Sequence, residues 1–221
     1  MCIRDRSFYG RQMGTFRVID ALATLAFDFP PGRRDRSAFF RDELESFFVL
    51  CRREGNDPLT LQGSYAGAIG MAQFMPSSIN QYAIDFDGDG NIDLQGSAAD
   101  AIGSVAHYLA QFGWERGLPA RYEVAPPNDP AERGLLLEPD IVPTFTAEEL
   151  ESHGARLSDA GRAAPGKLAL VEVENGDGPP SYVAGTTNFY AITRYNWSSY
   201  YALAVIELGE AVARERRSVA R

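Results

Sequence analysis

Apolar residues recur at helical spacing through much of the first half of the chain. Between Phe16 and Phe27, Val18, Leu22 and Leu25 share one face with Ala21 and Ala26 beside them, which predicts a helix with one buried side. Pro30-Pro31-Gly32 ends it. Ser37 is placed to cap a second helix, whose stripe is Phe40, Leu44, Phe47 and Cys51. Asp42, Glu43 and Glu45 occupy its early turns and Arg52 and Arg53 its end, the order the helix dipole favours. Cys51 lies on the stripe and reads as a small core residue rather than a reactive thiol. A third long helix is predicted over 98–112, with Ile102, Val105, Ala106 and Leu109 as its stripe and Gly113 as its stop. Near the end, Phe189 and Ile192 mark one helix, and Tyr201, Val205, Leu208 and Val212 another.

The pattern breaks in two places. The segment LQGSYAGAIGMAQFMP carries Gly63, Gly67 and Gly70 and has little periodicity, as expected where backbone must approach a neighbour or ligand closely. Pro76 then suits the first turn of a short helix through Tyr82. From about Glu115 to Val183 prolines cluster, and short β-like runs appear at 121–124, 168–173 and 182–183. Thr146-Ala147-Glu148-Glu149 has the form of a capping box. The expected fold class is mainly α with a small α+β insertion. The expected organisation is a helical core over 7–114 with an acidic loop at 85–100, the insertion over 115–185, closing helices over 186–213 and a tail over 214–221.

Composition narrows the chemistry. The chain has 221 residues, 45% hydrophobic and 23% charged, enough for one sizeable core or a main domain with an appendage. A net charge of −9 argues against nucleic acid as a partner, because phosphate contacts need clustered Lys and Arg. The basic spots at 33–36 and 214–217 are short and interrupted by acids. Two cysteines and two histidines, His107 and His153, leave little material for soft-metal or thiol chemistry. No stretch reaches the roughly 20 apolar residues of a membrane span. Acidic and hydroxyl chemistry remain. His107 reads as an exposed helix residue.

The sharpest spacing is Asp85-Phe86-Asp87-Gly88-Asp89-Gly90-Asn91-Ile92-Asp93. Oxygen side chains alternate, and glycine stands at the tight sixth position, a pattern that wraps hard oxygens around calcium. Asp85, Asp87, Asp89 and Asn91 are the candidate ligands. Position twelve, where an EF-hand carries Glu, is Gly96; Asp100 is placed to supply the closing carboxylate. Ile92 is placed to anchor the loop in the core. Without a cation the loop would be a polar Asp/Gly turn.

GSYAGAIGMAQFMPSS, DFDGDGNIDL and DAIGSVAHYL, in this order, resemble the MltB-type lytic transglycosylases of bacterial cell-wall turnover, as do RQMGTFRVIDALATLAFDFP and ITRYNWSSYYALAVIEL. The resemblance runs from about Ser7 to Leu208. It implies a lysozyme-like helical domain carrying an EF-hand-type loop with structural calcium. It implies cleavage of the MurNAc-β-1,4-GlcNAc bond of peptidoglycan, in which the muramyl C6 hydroxyl attacks its own anomeric carbon and a 1,6-anhydro product forms. Carried over by motif, Ser64 and Gln73 hydrogen-bond the glycan, Phe74 and Tyr108 line its groove, and Tyr195, Asn196 and Tyr201 approach from the C-terminal helices. Ser64 is equally placed to be a turn residue, and Tyr108 and Tyr201 stand at spacings that also suit a core.

The family's catalytic glutamate directly precedes the stretch matched by Ser7-Phe8-Tyr9-Gly10, and Arg6 stands there instead. Arginine holds its proton at any usable pH and cannot serve as acid and base. Residues 1–6, MCIRDR, match nothing in the family and form no targeting signal; the expectation is a foreign leader on an N-terminally truncated chain that is inactive as written. Family likeness implies a periplasmic monomer acting on glycan strands, with any outer-membrane anchor on the missing N-terminus. Two other functions remain open: a non-catalytic, calcium-stabilised peptidoglycan-binding module, and a calcium-binding interaction protein unrelated to glycans.

Overall fold

The computed structural model describes Ser7, residues 10–31 and residues 34–219. Arg6 and the remainder of the leader lie outside the described residues. The chain is mostly helical with small sheets, and it divides into two compact units, Met1–Tyr108 and Leu109–Arg221. The second holds both the expected insertion and the closing helices.

In the first unit, strand β1 (Phe16–Arg17) leads into helix α1 (Val18–Phe27), followed by α2 (Ser37–Glu54), strand β2 (Gln62–Gly63), α3 (Pro76–Tyr82) and α4 (Ala98–Gln111), which runs past the unit boundary. β1 and β2 pair antiparallel, Phe16 opposite Gly63. Val18, Leu22 and Ala26 of α1 are fully buried, and α2 turns Phe40, Phe47, Leu50 and Cys51 inward. Burial pushes the Cys51 thiol pKa up, with the nearby Glu54 charge adding to the effect, so the reactive thiolate is disfavoured.

Three details depart from the periodicity. Ser37 is the first helical residue of α2 rather than its cap; the Asp35 carboxylate accepts the Ser37 N–H at 2.8 Å instead. That bond holds the Asp35 carboxyl below its usual range. Leu44 is only half-buried, and Glu43 takes the inward position at 4% exposed. On α4, Ile102 is 58% exposed, and the buried face is Asp100, Ala101, Gly103, Ser104 and Tyr108. The reason is polar: Asp100 and Ser104 accept backbone N–H groups from the preceding loop, so their face turns inward, Ile102 and Ala106 turn out, and Val105 and Leu109 stay half-buried.

Glu43 explains how α3 begins. The side chain of its own N-cap, Met75, makes no capping hydrogen bond, and Pro76 stands in its first turn. Glu43 reaches across from α2 and accepts the Ser77 N–H at 2.9 Å and the Ser77 hydroxyl at 2.6 Å. A carboxylate at a helix N-terminus satisfies an orphan donor and complements the dipole.

The second unit contains a four-stranded antiparallel sheet in the order β4-β3-β6-β5, from β3 (Arg121–Ala125), β4 (Arg156–Leu157), β5 (Ala169–Asn175) and β6 (Gly178–Gly185). Helices α5 (Pro130–Leu137), α6 (Ala147–Ser152) and α7 (Asp159–Arg162) lie between strands in sequence, and α8 (Thr187–Tyr195) and α9 (Ser199–Val219) follow. The capping box is present: Thr146 Oγ1 accepts the Glu149 N–H and Glu149 accepts the Thr146 N–H. Alternation along β5 separates two cores. Leu168 and Leu170 join Leu136, Leu150 and Leu157 on one side; Ala169, Val171 and Val173 join Phe189, Ile192 and Ala202 on the other. Buried Asn188 ties α8 to the loop before β3, accepting the Glu115 N–H and donating to the Glu115 and Leu118 carbonyls.

Replacing Glu43 by Ala strips Ser77 of a buried charged acceptor and leaves a cavity. The expected loss is about 2–3 kcal/mol, read as a lower midpoint in urea. Glu43→Gln, which keeps one accepting oxygen, should lose less.

Candidate functional site

The Gly-rich segment folds back on itself. Ser64 Oγ accepts the N–H groups of Ala66 and Ala68 at 3.2 and 3.0 Å, so Ser64 builds the turn while its hydroxyl proton remains able to donate. Ile69 and Phe74 exchange backbone hydrogen bonds of 2.8 and 3.1 Å across a tight turn. Gly70 stands in that turn at φ +72°, and a Cβ on it would lie 2.6 Å from the Leu94 carbonyl oxygen. Only glycine allows this approach.

Gln73 completes the turn in the left-handed region at φ +52°, an uncommon conformation for a residue with a side chain. It is 7% exposed. Its Nε2 donates to the carbonyls of Met13, at 3.0 Å, and Gly70, at 2.9 Å. Both partners are obligate acceptors, so the amide orientation is determined by them. The opposite atom, Oε1, has no donor among the described residues. A half-committed amide of this kind presents an acceptor to a ligand N–H or O–H.

Phe74 and Tyr108 meet: their ring centroids are 5.6 Å apart, and Tyr82 makes an edge contact with Tyr108 at 4.9 Å. Both Phe74 and Tyr108 are buried, so they form an aromatic floor more than an open wall. His107, expected exposed, is half-buried, its Nδ1 2.9 Å from the Tyr82 carbonyl; the turn that brings Tyr82 against Tyr108 also brings that carbonyl to the imidazole. Tyr195, Asn196 and Tyr201 belong to the second unit and are half-buried: Tyr195 ends α8, Asn196 follows in extended conformation, and Tyr201 lies in the first turn of α9 with its N–H directed at Ser198 Oγ.

The acidic loop is organised around Asp100, which is 1% exposed. Its Oδ1 accepts the N–H of Phe86 at 2.8 Å and of Asp87 at 3.4 Å, and its Oδ2 accepts that of Asp93 at 2.9 Å. The Asp93 N–H, then that of Phe86, holds the Asp100 carboxyl below its usual range. Asp85, Asp87 and Asp100 each bring a carboxylate oxygen to within 4.8 Å of the others. Asp89 faces out and accepts the Asn91 N–H at 2.8 Å. Ile92 is 36% exposed and does not anchor the loop; Leu94, two residues on and buried, does. At 4.8 Å two carboxylates repel by roughly 1 kcal/mol in water-like surroundings and by more as solvent is excluded. An all-oxygen set at this spacing fits a hard cation such as calcium.

Two contributors escaped the sequence reading. Ser97 Oγ accepts the Asp100 N–H at 3.1 Å and donates to Asp87 at 2.9 Å, joining helix cap to loop. Its signal was Ser97-Ala98-Ala99-Asp100 ahead of an apolar run, a capping pattern. Glu43, behind the Gln73 turn through Ser77, gave no local signal, because its partner is 34 residues away.

The chain matches the family described as the transglycosylase SLT domain over residues 6–210. It is 43% identical over 210 residues to the membrane-bound lytic murein transglycosylase B of Escherichia coli strain K12, covering 94% of this chain and 54% of that protein. It thus spans about half the length of that relative. The structure resembles the soluble lytic transglycosylase SltB1 of Pseudomonas aeruginosa with a TM-score of 0.82 and 43% identity, covering 97% of this chain and 69% of that one. It also resembles the E. coli lytic transglycosylase Slt35, solved in complex with calcium, with a TM-score of 0.78 and 39% identity, covering 97% and 65%.

Because the folded Asp100 pKa lies below its unfolded value of about 3.9, its contribution to stability is complete above that value and is lost as pH falls through the folded one. In chelator, the stability gap between the parent chain and Asp100→Asn should be widest near pH 6 and narrow below about pH 4, measured by urea midpoints across that range.

Proposed function

The chain belongs to the transglycosylase SLT domain family, and from that premise we propose that it is the glycan-holding domain of a peptidoglycan lytic transglycosylase. The supporting observation is its likeness, over 94% of its length, to a lytic murein transglycosylase. The proposed substrate is the MurNAc-β-1,4-GlcNAc linkage and the proposed product carries 1,6-anhydro-MurNAc.

That reaction needs one carboxyl rather than the pair used by most glycosidases. The acid protonates the leaving oxygen, then takes the proton of the muramyl C6 hydroxyl as that oxygen closes on the anomeric carbon. Gln73 offers its Oε1 to an N-acetyl N–H, held in register by Met13 and Gly70. Ser64 donates its hydroxyl proton to a sugar or acetyl oxygen. Phe74 and Tyr108 support the Gln73 turn from beneath, and Tyr195, Asn196 and Tyr201 supply further polar and aromatic contacts. The proton-transfer position is taken by Arg6, so the chain as written binds without cleaving. A residue other than Glu before Ser7 in the natural protein, rather than in a foreign leader, would favour a second reading, a non-catalytic module that grips peptidoglycan.

Asp85, Asp87, Asp89, Asn91 and Asp100 are proposed to hold calcium in a structural role. Bound calcium would neutralise the clustered carboxylates and stiffen the loop whose exit carries Leu94 against Gly70. The proposed setting is the periplasm, and the proposed form a monomer. No helix among the described residues is long and apolar enough to cross a membrane.

The parent chain should co-sediment with purified sacculi and release no anhydro-muropeptides by mass spectrometry; Asn196→Ala should weaken retention. Failure to sediment, or release of anhydro products, would each contradict part of the proposal. Calcium at 100 times its Kd should add about 2.7 kcal/mol to stability, seen as a rise in Tm that Asp85→Ala removes. An unchanged Tm at millimolar calcium would eliminate the metal.

A further inference from the structure

The turn between α8 and α9 carries an aromatic cluster that the residues named above do not include. Arg194, in the last turn of α8, places its guanidinium 5.4 Å from the Phe112 ring centroid, 5.7 Å from that of Tyr190 and 5.6 Å from that of Trp197. Tyr190 meets Trp197 edge-on, with centroids 6.3 Å apart and planes at 84°. Despite these contacts Trp197 is 55% exposed. It is an indole fixed in place but open to solvent.

The backbone beneath it is fixed as well. Buried Thr193 donates its hydroxyl to the Tyr190 carbonyl at 2.7 Å. Ser198, directly after Trp197, accepts the N–H of Tyr201 on its Oγ at 3.3 Å and that of Ala202 on its carbonyl at 3.1 Å. Tyr200 donates its hydroxyl to the Glu174 carbonyl at 3.1 Å, pinning the start of α9 to the end of β5. An exposed side chain is usually ordered at an entropic cost when it binds; here much of that ordering is already present in the free protein.

We infer that Trp197 is a stacking platform for an N-acetylhexosamine ring of the glycan strand, an inference that rests on the glycan-holding function proposed above. A pyranose presents C–H groups on its faces and hydroxyls around its edge. The indole face suits the first, and the adjacent Asn196 amide and Tyr195 hydroxyl suit the second. Arg194 draws its charge over the aromatic rings and holds the platform steady. Trp197 thereby sets affinity for one sugar unit and takes no part in proton transfer.

The chain has two tryptophans, Trp114 and Trp197. In a Trp114→Phe background, Trp197 is the only indole reporter, and a GlcNAc–MurNAc tetrasaccharide serves as the probe. The expected result is a saturable, blue-shifted change in its emission. Trp197→Ala should weaken tetrasaccharide binding roughly tenfold, measured by calorimetry, with Tm unchanged because the side chain is largely exposed. Trp197→Phe should restore most of the affinity, since a ring face remains. If the tetrasaccharide binds and Asn196→Ala weakens it, but Trp197→Ala leaves the affinity unaltered and the ligand leaves the Trp197 emission of the Trp114→Phe protein unaltered, the platform is overturned while the glycan-holding function stands. If the parent chain does not bind the tetrasaccharide at all, both fall together.

Discussion

The first unit depends on one buried carboxylate. Asp100 has almost no contact with water, and three backbone N–H groups from a loop of alternating acids converge on its two oxygens. A buried charge is tolerated only when its lone pairs are satisfied, and here the satisfying groups come from the chain segment that most needs fixing. The consequence spreads in both directions. Along α4 the polar face turns inward and Ile102 turns out; along the loop the chain is delivered to Leu94, whose carbonyl accepts the Met71 N–H at 2.8 Å. The acidic loop and the Gly-rich segment are therefore mechanically one object.

That coupling gives the calcium proposal its physical sense. A cation among Asp85, Asp87 and Asp100 would act on the same loop whose exit packs against Gly70, and Gly70 is the residue whose carbonyl orients the Gln73 amide. Stiffness in the acidic loop would reach the Gln73 amide through two backbone contacts and one side-chain hydrogen bond. Gln73 is held in an uncommon backbone conformation, and such conformations persist only where surrounding bonds over-determine them. Glu43 adds to that frame by holding the start of α3 through Ser77.

The second unit solves a different problem. Its sheet is covered on both faces, with β5 contributing alternate residues to two cores, while Asn188 spends its whole amide on the loop before β3. The result is a firm base for the α8–α9 turn, where Tyr195, Asn196 and Trp197 follow one another. Rigid aromatic and amide groups on a packed scaffold suit a ligand with alternating apolar faces and polar edges.

Local pattern alone settled a good deal. The 3.6-residue spacing located α1, α2 and α4; Pro76 marked α3; Thr146 and Glu149 marked α6; the alternating acids marked the loop; and the ordered motifs pointed to the family. These features are legible because each depends on residues a few positions apart. The orientation of α4, the capping of α3 by Glu43, the burial of Phe74 and Tyr108, the half-burial of His107 and the commitment of one end of the Gln73 amide were decided only by tertiary structure. Each rests on a partner from a distant part of the chain, such as Met13 for Gln73 or Ser77 for Glu43. Hydrophobic periodicity counts apolar surface, and it cannot register that a buried carboxylate with three N–H partners outweighs an isoleucine for the inward face of a helix.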